Sequence, residues 1–237
     1  MKRTIRISAK HLGELAMPDF CARCFWIQLI CGWRMPFTFF PGIFSTLDSH
    51  VKRVVAGYFA AHDRLPSWLP TGLGKPLTVP HWSKFSWFDE STEVLLVGAP
   101  DEMTRDRGNR ISILDYKTAK YTENADALLP LYQAQLNSYA VIAERLGFGQ
   151  VSSLWLIYCE PQPVDSKNPL VSCLDSGFRM DFAAKILPVQ LETKMIPALL
   201  AKVRQIADMT EMPERREDCK NCQQLNNLIQ NTLELTT

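Results

Sequence analysis

The sequence carries almost no net charge, since 26 Lys and Arg stand against 25 Asp and Glu and leave a formal +1. Bulk electrostatics therefore favours no particular charged partner, and any basic surface must be local. Long apolar runs are missing as well. The most hydrophobic stretch, Phe20 to Trp33, is interrupted by Arg23, Gln28 and Gly32 and is too short to cross a bilayer. Nothing after the basic residues between Met1 and Arg6 resembles a secretory signal, which predicts a soluble, cytoplasmic protein without membrane contact. The cysteine count, seven, is odd, and with no secretory signal it argues against a disulfide framework. Internal repeats and low-complexity tracts are absent, which excludes a repeat array. What remains is a chain of 237 residues, 46% hydrophobic, long and apolar enough for a sizeable core and predicted to form one domain over 1–237.

Against that background a short series of polar residues stands out. Val94 to Val97 is a continuous apolar run suited to a strand buried on both faces, and Gly98 with Pro100 breaks it just before Asp101. A polar turn from Thr104 to Asn109 leads into Arg110-Ile-Ser-Ile-Leu-Asp-Tyr-Lys117, and an amphipathic stretch runs from about Ala125 to Leu146. The pattern reads as strand, turn, strand, helix, with Asp101 closing the first strand and Asp115 the second. A carboxylate buried in such a hairpin is costly unless it is paired or binds a cation.

The spacing of Asp115 and Lys117 means little by itself. Asp165 with Lys167, Glu192 with Lys194 and Asp218 with Lys220 share it. Only Asp115 and Lys117, however, close an apolar strand that follows another ending in an aspartate. Asp101 and Asp115, with the backbone carbonyl of Tyr116 between them, offer the hard oxygen donors that Mg²⁺ or Mn²⁺ prefers. Lys117 falls on the same strand face as Asp115 and adds a compact positive charge of the kind that stabilises charge developing on a phosphate. Gln135 and Tyr139 are four residues apart, so a helix sets amide and phenol one above the other, able to hydrogen-bond a carboxylate or phosphate; the tyrosine could also stack on a base.

Gly98-Ala-Pro-Asp101, Leu114-Asp-Tyr-Lys-Thr118 and Gln135-Leu-Asn-Ser-Tyr139, taken in this order, resemble the PD-(D/E)XK nuclease superfamily, in particular its RecB-like exonuclease branch. The resemblance covers roughly Glu93 to Cys159. It implies an α/β, restriction-endonuclease-like core with a mixed central sheet flanked by helices, Asp101 and Asp115 as metal ligands, Lys117 as the catalytic lysine, and Gln135 and Tyr139 as nucleic-acid contacts or supports of the site. It also places an acidic residue or histidine on a preceding helix, here predicted over Phe44 to His62, where His50 is the preferred candidate and Asp48 the alternative. The function implied is a metal-dependent deoxyribonuclease, exonuclease-like on DNA ends or single strands, serving DNA repair, recombination or CRISPR and mobile-element processing, with protein partners in such a complex. Two other classes fit the same residues. One is a catalytically weak DNA-binding subunit, against which the presence of Asp101, Asp115 and Lys117 speaks; the other is a zinc-stabilised interaction protein.

Cys21-Ala-Arg-Cys24 and Cys219-Lys-Asn-Cys222 lie almost the whole chain apart. Two such pairs supply four soft ligands, and their separation argues for a staple joining the two ends rather than a local zinc ribbon. Some RecB-like nucleases, including a CRISPR-associated family, hold a 4Fe–4S cluster with cysteines from both ends of the domain, and the resemblance extends that expectation here. Those relatives divide their ligands one and three, whereas this chain divides them two and two, which keeps Zn²⁺ as the alternative. Cys31, Cys159 and Cys173 have no partner at ligand spacing and are expected as small buried hydrophobes.

The remaining expectations are organisational. Residues 91–160 form the catalytic core, residues 1–45 and 210–237 carry the cysteine centre, and residues 63–90 make an irregular excursion rich in Pro and Trp, with Trp68, Trp82 and Trp87 as candidate base-stacking groups. Val151 to Tyr158 reads as a buried strand of the same sheet, Phe178 to Phe182 as a further strand, and Val189 to Met209 as a core-facing helix. Lys2, Arg3, Arg6, Lys10, Lys52, Arg53 and the hairpin-turn residues Arg105, Arg107 and Arg110 are the local cations available to phosphate.

Overall fold

A strand whose residues are all buried but the last needs apolar cover on both faces, and Ile111–Lys117 is that strand. The computed structural model describes residues 3–33, 41–119, 121, 127–162 and 167–235. Its elements begin with β1 (Ile5–Ser8), α1 (Ala9–Gly13), α2 (Ala22–Ile30) and α3 (Gly42–His62). Five strands follow: β2 (Lys75–Leu77), β3 (Ser86–Asp89), β4 (Val94–Val97), β5 (Glu102–Arg105) and β6 (Ile111–Lys117). After α4 (Leu129–Arg145) come β7 (Val151–Gln162), the small hairpin of β8 (Cys173–Leu174) and β9 (Gly177–Phe178), then β10 (Asp181–Val189), α5 (Met195–Ala207) and α6 (Lys220–Leu235).

The main sheet is mixed, in the order β10-β7-β6-β5-β2, with β6 and β7 parallel and the other pairs antiparallel. Parallel pairing of β6 with β7 requires a crossover, and α4 occupies it. Alternation along β6 sends Ile111 and Ile113 into the core that holds Leu136, Ala140 and Ile142 of α4, while Leu114 and Tyr116 enter a second core with Val55 of α3. The sheet is thus flanked by helices on both sides, as expected. A smaller sheet, β1-β4-β3, extends the first core through Ile7, Val94 and Leu96.

Several expectations need correction. Val94 to Val97 does not pair with the strand carrying Asp115; β4 belongs to the small sheet, and the chain switches sheets at Gly98 to Pro100, so Asp101 precedes β5 instead of closing β4. The expected strand over Phe178 to Phe182 is divided between β9 and β10, and Val189 ends β10, with α5 starting six residues later and finishing at Ala207. Of the helix expected over Ala125 to Leu146, residues 125 and 126 lie outside the described residues; α4 spans Leu129–Arg145, with Pro130 in the first turn, where its missing N–H leaves no bond unmade. Cys159 is buried as expected, but Cys31 and Cys173 are exposed. Among the described residues, no helix is long and apolar enough to cross a membrane.

Polar groups on α4 tie the architecture together. Asn137 is fully buried; its Nδ2 donates to the carbonyls of Gln133 and Gln190, both at 2.9 Å, and its Oδ1 accepts the N–H of Glu192 at 2.7 Å. These bonds pin the β10–α5 connection to the helix that carries Gln135 and Tyr139. Asn137→Ala removes all three and is expected to cost about 2 kcal/mol or more. Urea unfolding checks this: the midpoint should fall with an unchanged slope.

Candidate active site and metal centre

Asp115 and Lys117 share the face of β6 that looks at α4, where Gln135 and Tyr139 stand one turn apart. Gln135 Nε2 donates to Asp115 Oδ1 at 3.4 Å and to the Tyr139 hydroxyl at 2.8 Å, while Gln135 Oε1 accepts from Lys117 Nζ at 3.3 Å. The Lys117 ammonium lies 2.5 Å from Asp115 Oδ2 and 4.4 Å above the Tyr132 ring. Asp115, Gln135 and Tyr139 are all buried. The tyrosine ring packs edge-on to Phe85, which suits bracing the amide and leaves no face for a base.

Asp101 reaches the site from the sheet switch. A Cβ on Gly98 would stand 2.7 Å from Tyr139 Cε1 and 3.3 Å from Ala9 Cβ, so only glycine lets the ring pack directly on this backbone. Asp101 Oδ2 accepts the Tyr116 N–H at 2.7 Å, and Oδ1 meets Lys52 Nζ of α3 at 2.7 Å. Lys52 also reaches Asp48 Oδ2 at 2.8 Å. Both aspartates are therefore tied to the backbone or side chains around Tyr116, and the polar series that the sequence spreads from 101 to 139 forms one connected cluster.

Electrostatics sharpens the picture. Burial, together with the Asp115 carboxylate nearby, pushes Asp101 up to about 6 against the opposing pull of Lys52. Burial and the Asp101 charge likewise push Glu102 up to about 7. Asp115 Oδ2 is fully buried and, although Lys117 stands beside it, accepts no hydrogen bond of acceptable direction. Two neighbouring carboxylates, Asp101 made costly to ionise by burial and by its neighbour, and Asp115 with an acceptor still available, fit a hard divalent cation.

Sequence reasoning treated Lys52 only as a phosphate contact and passed over Glu102. The i, i+4 spacing of Asp48 and Lys52 was the visible signal for the first; for Glu102, nothing in the sequence distinguishes it from a solvated strand residue. Of the two candidates on α3, Asp48 is joined to Asp101 through Lys52. His50 is exposed and lines a cleft with Leu47, Val51, Val54 and Trp68. The hairpin-turn arginines are not beside the site. They occupy the far end of β5 and β6, roughly 13 Å along the strands, where Arg105 bonds the Phe148 carbonyl and Arg110 pairs with Asp106.

The four paired cysteines converge. Sγ of Cys24 lies 3.3 Å from that of Cys222 and 3.5 Å from that of Cys219, and Cys21 lies 3.7 Å from Cys222. All four ligand atoms fall within 4.8 Å of one another, the only such group of three or more His, Cys, Asp or Glu among the described residues. Burial raises the Cys21 thiol, but backbone N–H groups of Arg216 and Cys24 outweigh it and bring the thiol down to about 6. Burial and its thiol neighbours push Cys24 up, and burial pushes Cys222 up to about 11.

A family model described as the PD-(D/E)XK nuclease superfamily matches residues 40–225. A crystal structure of a protein called SSO0001 covers 90% of this chain and 81% of its own, with 13% identity and a TM-score of 0.46. No curated protein matches the chain.

The raised carboxyls have a measurable consequence. A carboxyl whose pKa rises from 3.8 unfolded to about 6 folded binds more protons in the folded state, so stability falls as pH rises through that interval. Without metal, the protein should lose thermal stability between about pH 4 and 7, and Asp101→Asn should flatten that dependence. Mg²⁺ or Mn²⁺ at a hundredfold excess over its Kd should restore about 2.7 kcal/mol at pH 8 and far less at pH 5. Melting curves across pH, with and without cation, read both effects.

Proposed function

The chain belongs to the PD-(D/E)XK nuclease superfamily, and we propose that it is a Mg²⁺- or Mn²⁺-dependent deoxyribonuclease of the RecB-like type, acting on DNA ends or single strands. The observation that carries this reading is the hydrogen-bonded chain from Lys117 through Gln135 to Tyr139, closed on Asp115. Gln135 and Tyr139 are the residues that the RecB-like branch adds, and here they hold the second carboxylate in place.

Asp101 and Asp115, with the backbone at Tyr116 between them, would hold the cation, which supplies a water nucleophile at neutral pH and offsets negative charge on the phosphodiester. Lys117 is caged by Asp115, Gln135 and the Tyr132 ring, so its ammonium is prepositioned to face developing charge instead of searching for it. Gln135 spends both ends of its amide on Lys117, Asp115 and Tyr139, which makes it a positioning residue. Lys52 holds Asp101 from the α3 side and adds a second cation to the site.

The preference for unpaired strands is supported by the cleft between α3 and β10. Its volume is about 540 Å³, its walls include Val51, Trp68 and Phe182, and Thr118, next to Lys117, lies on its rim. A nucleobase splayed from a single strand that passes the end of β6 would find an aromatic and apolar surface there, on the α3 face of the sheet opposite the Lys117 side chain. Processing of DNA in repair, recombination or CRISPR and mobile-element pathways is the setting this activity suits.

Cleavage of end-labelled single- and double-stranded DNA with Mg²⁺, Mn²⁺ or EDTA tests the proposal. Asp115→Asn and Lys117→Ala should each lower metal-dependent hydrolysis by about a hundredfold or more while leaving the circular dichroism spectrum intact; undiminished hydrolysis in both would sink the mechanism. Covalently closed single-stranded circles should survive while linear strands are degraded. Trp68→Ala should raise KM on single strands about tenfold with little change in kcat, the loss expected from one stacked base.

A further inference from the structure

The four-cysteine centre raises a question that the nuclease reading leaves open, namely what the thiols were shaped to hold. We propose that Cys21, Cys24, Cys219 and Cys222 bind one tetrahedral Zn²⁺ ion, and that the site is too small for the 4Fe–4S cluster found in some RecB-like nucleases.

Size decides between the two. Four thiolates on one zinc at about 2.3 Å form a tetrahedron whose edges are about 3.8 Å. In a cubane each thiolate binds a separate iron at a separate corner, so the sulfurs stand about 6 Å apart. The separations here are 3.3, 3.5 and 3.7 Å, and every pair is within 4.8 Å. A cubane would need the three shortest of these edges to open by about 2 Å or more, and every edge by about 1 Å or more.

The arrangement is also not that of disulfides awaiting closure. Cys24 has both Cys219 and Cys222 within 3.5 Å, and Cys222 has both Cys21 and Cys24 within 3.7 Å, so neither sulfur has a single preferred partner. A disulfide would shorten one separation to about 2.05 Å and would select it geometrically. Sharing among all four is what a common central ion imposes.

The backbone supports the same reading. Cys21 is the residue before α2 and Cys24 lies in that helix's first turn; Cys219 and Cys222 hold the equivalent positions at α6. Two helix N-termini therefore face one point, each with unpaired N–H groups that favour thiolate over thiol. Arg23, between the first pair, donates to the Pro213 carbonyl at 3.0 Å and approaches Glu214 at 3.8 Å, so the two cysteine segments are fastened outside the sulfur tetrahedron as well.

The inference does not depend on hydrolytic activity, and its test reads metal directly. The full chain is produced in iron-supplemented medium, purified without oxygen, and assayed for zinc, iron and acid-labile sulfide. About one zinc per chain with neither iron nor sulfide is expected. Progressive modification of the wild-type thiols should then release one zinc for about four thiols lost, and replacement by Co²⁺ should give the visible ligand-field bands of a tetrahedral thiolate site. Iron and acid-labile sulfide near four per chain would overturn the assignment. So would a folded chain with no metal and four freely reactive thiols in this group. Both measurements use the wild-type chain, so they stand even if Cys219→Ser fails to fold.

Discussion

A buried carboxylate, Asp115, and a half-buried one, Asp101, set side by side at the edge of an apolar core, govern this structure. The Asp115 carboxylate makes the charge on Asp101 more costly, and burial withholds the water that would screen it. The fold answers with cations and donors drawn from three elements: Lys52 from α3, Lys117 from β6 itself, and the Gln135 amide from α4. Each is needed where it stands, because a single unpaired carboxylate in such a place would neutralise or unfold its surroundings. A divalent cation is the remaining group that such a pair calls for.

That requirement explains features that have no apolar rationale. A helix placed over a sheet normally buries aliphatic side chains, yet α4 buries Gln135, Asn137, Ser138 and Tyr139. Gln135 and Tyr139 serve the carboxylates, Asn137 fixes the next connection, and Ser138 returns its hydroxyl to the Ala134 carbonyl at 2.7 Å. All four are satisfied, which is the condition under which polar groups make a core specific instead of weak. Gly98 belongs to the same logic, since any side chain there would displace the tyrosine that braces Gln135.

The cysteine centre secures a different part of the molecule. α6 is amphipathic, with Leu228, Ile229 and Leu233 exposed, and its attachment runs chiefly through the sulfur tetrahedron at its first turn. Soft sulfur donors at one end and hard carboxylates in the middle would keep two metal ions apart by donor type alone. A structural ion and a reactive one can then occupy the same chain without exchange.

The sequence by itself determined the polar groups of the candidate site: the carboxylates Asp101 and Asp115 with Lys117, the helical spacing of Gln135 and Tyr139, the buried character of Ile111 to Leu114, and the existence of two distant cysteine pairs. These are local facts, legible because strand and helix periods dictate which side chains share a face. It misread how Asp101 arrives, because whether an apolar run pairs with its neighbour or joins another sheet depends on partners such as β1 that lie ninety residues away. It could not see that Lys52 holds Asp101, or that the hairpin arginines lie at the far end of β5 and β6 from the site. Distances between sulfurs from residues about 200 apart are likewise set only when the two helix ends meet. Only the tertiary structure could decide these, since each is a distance between segments whose separation no local pattern encodes.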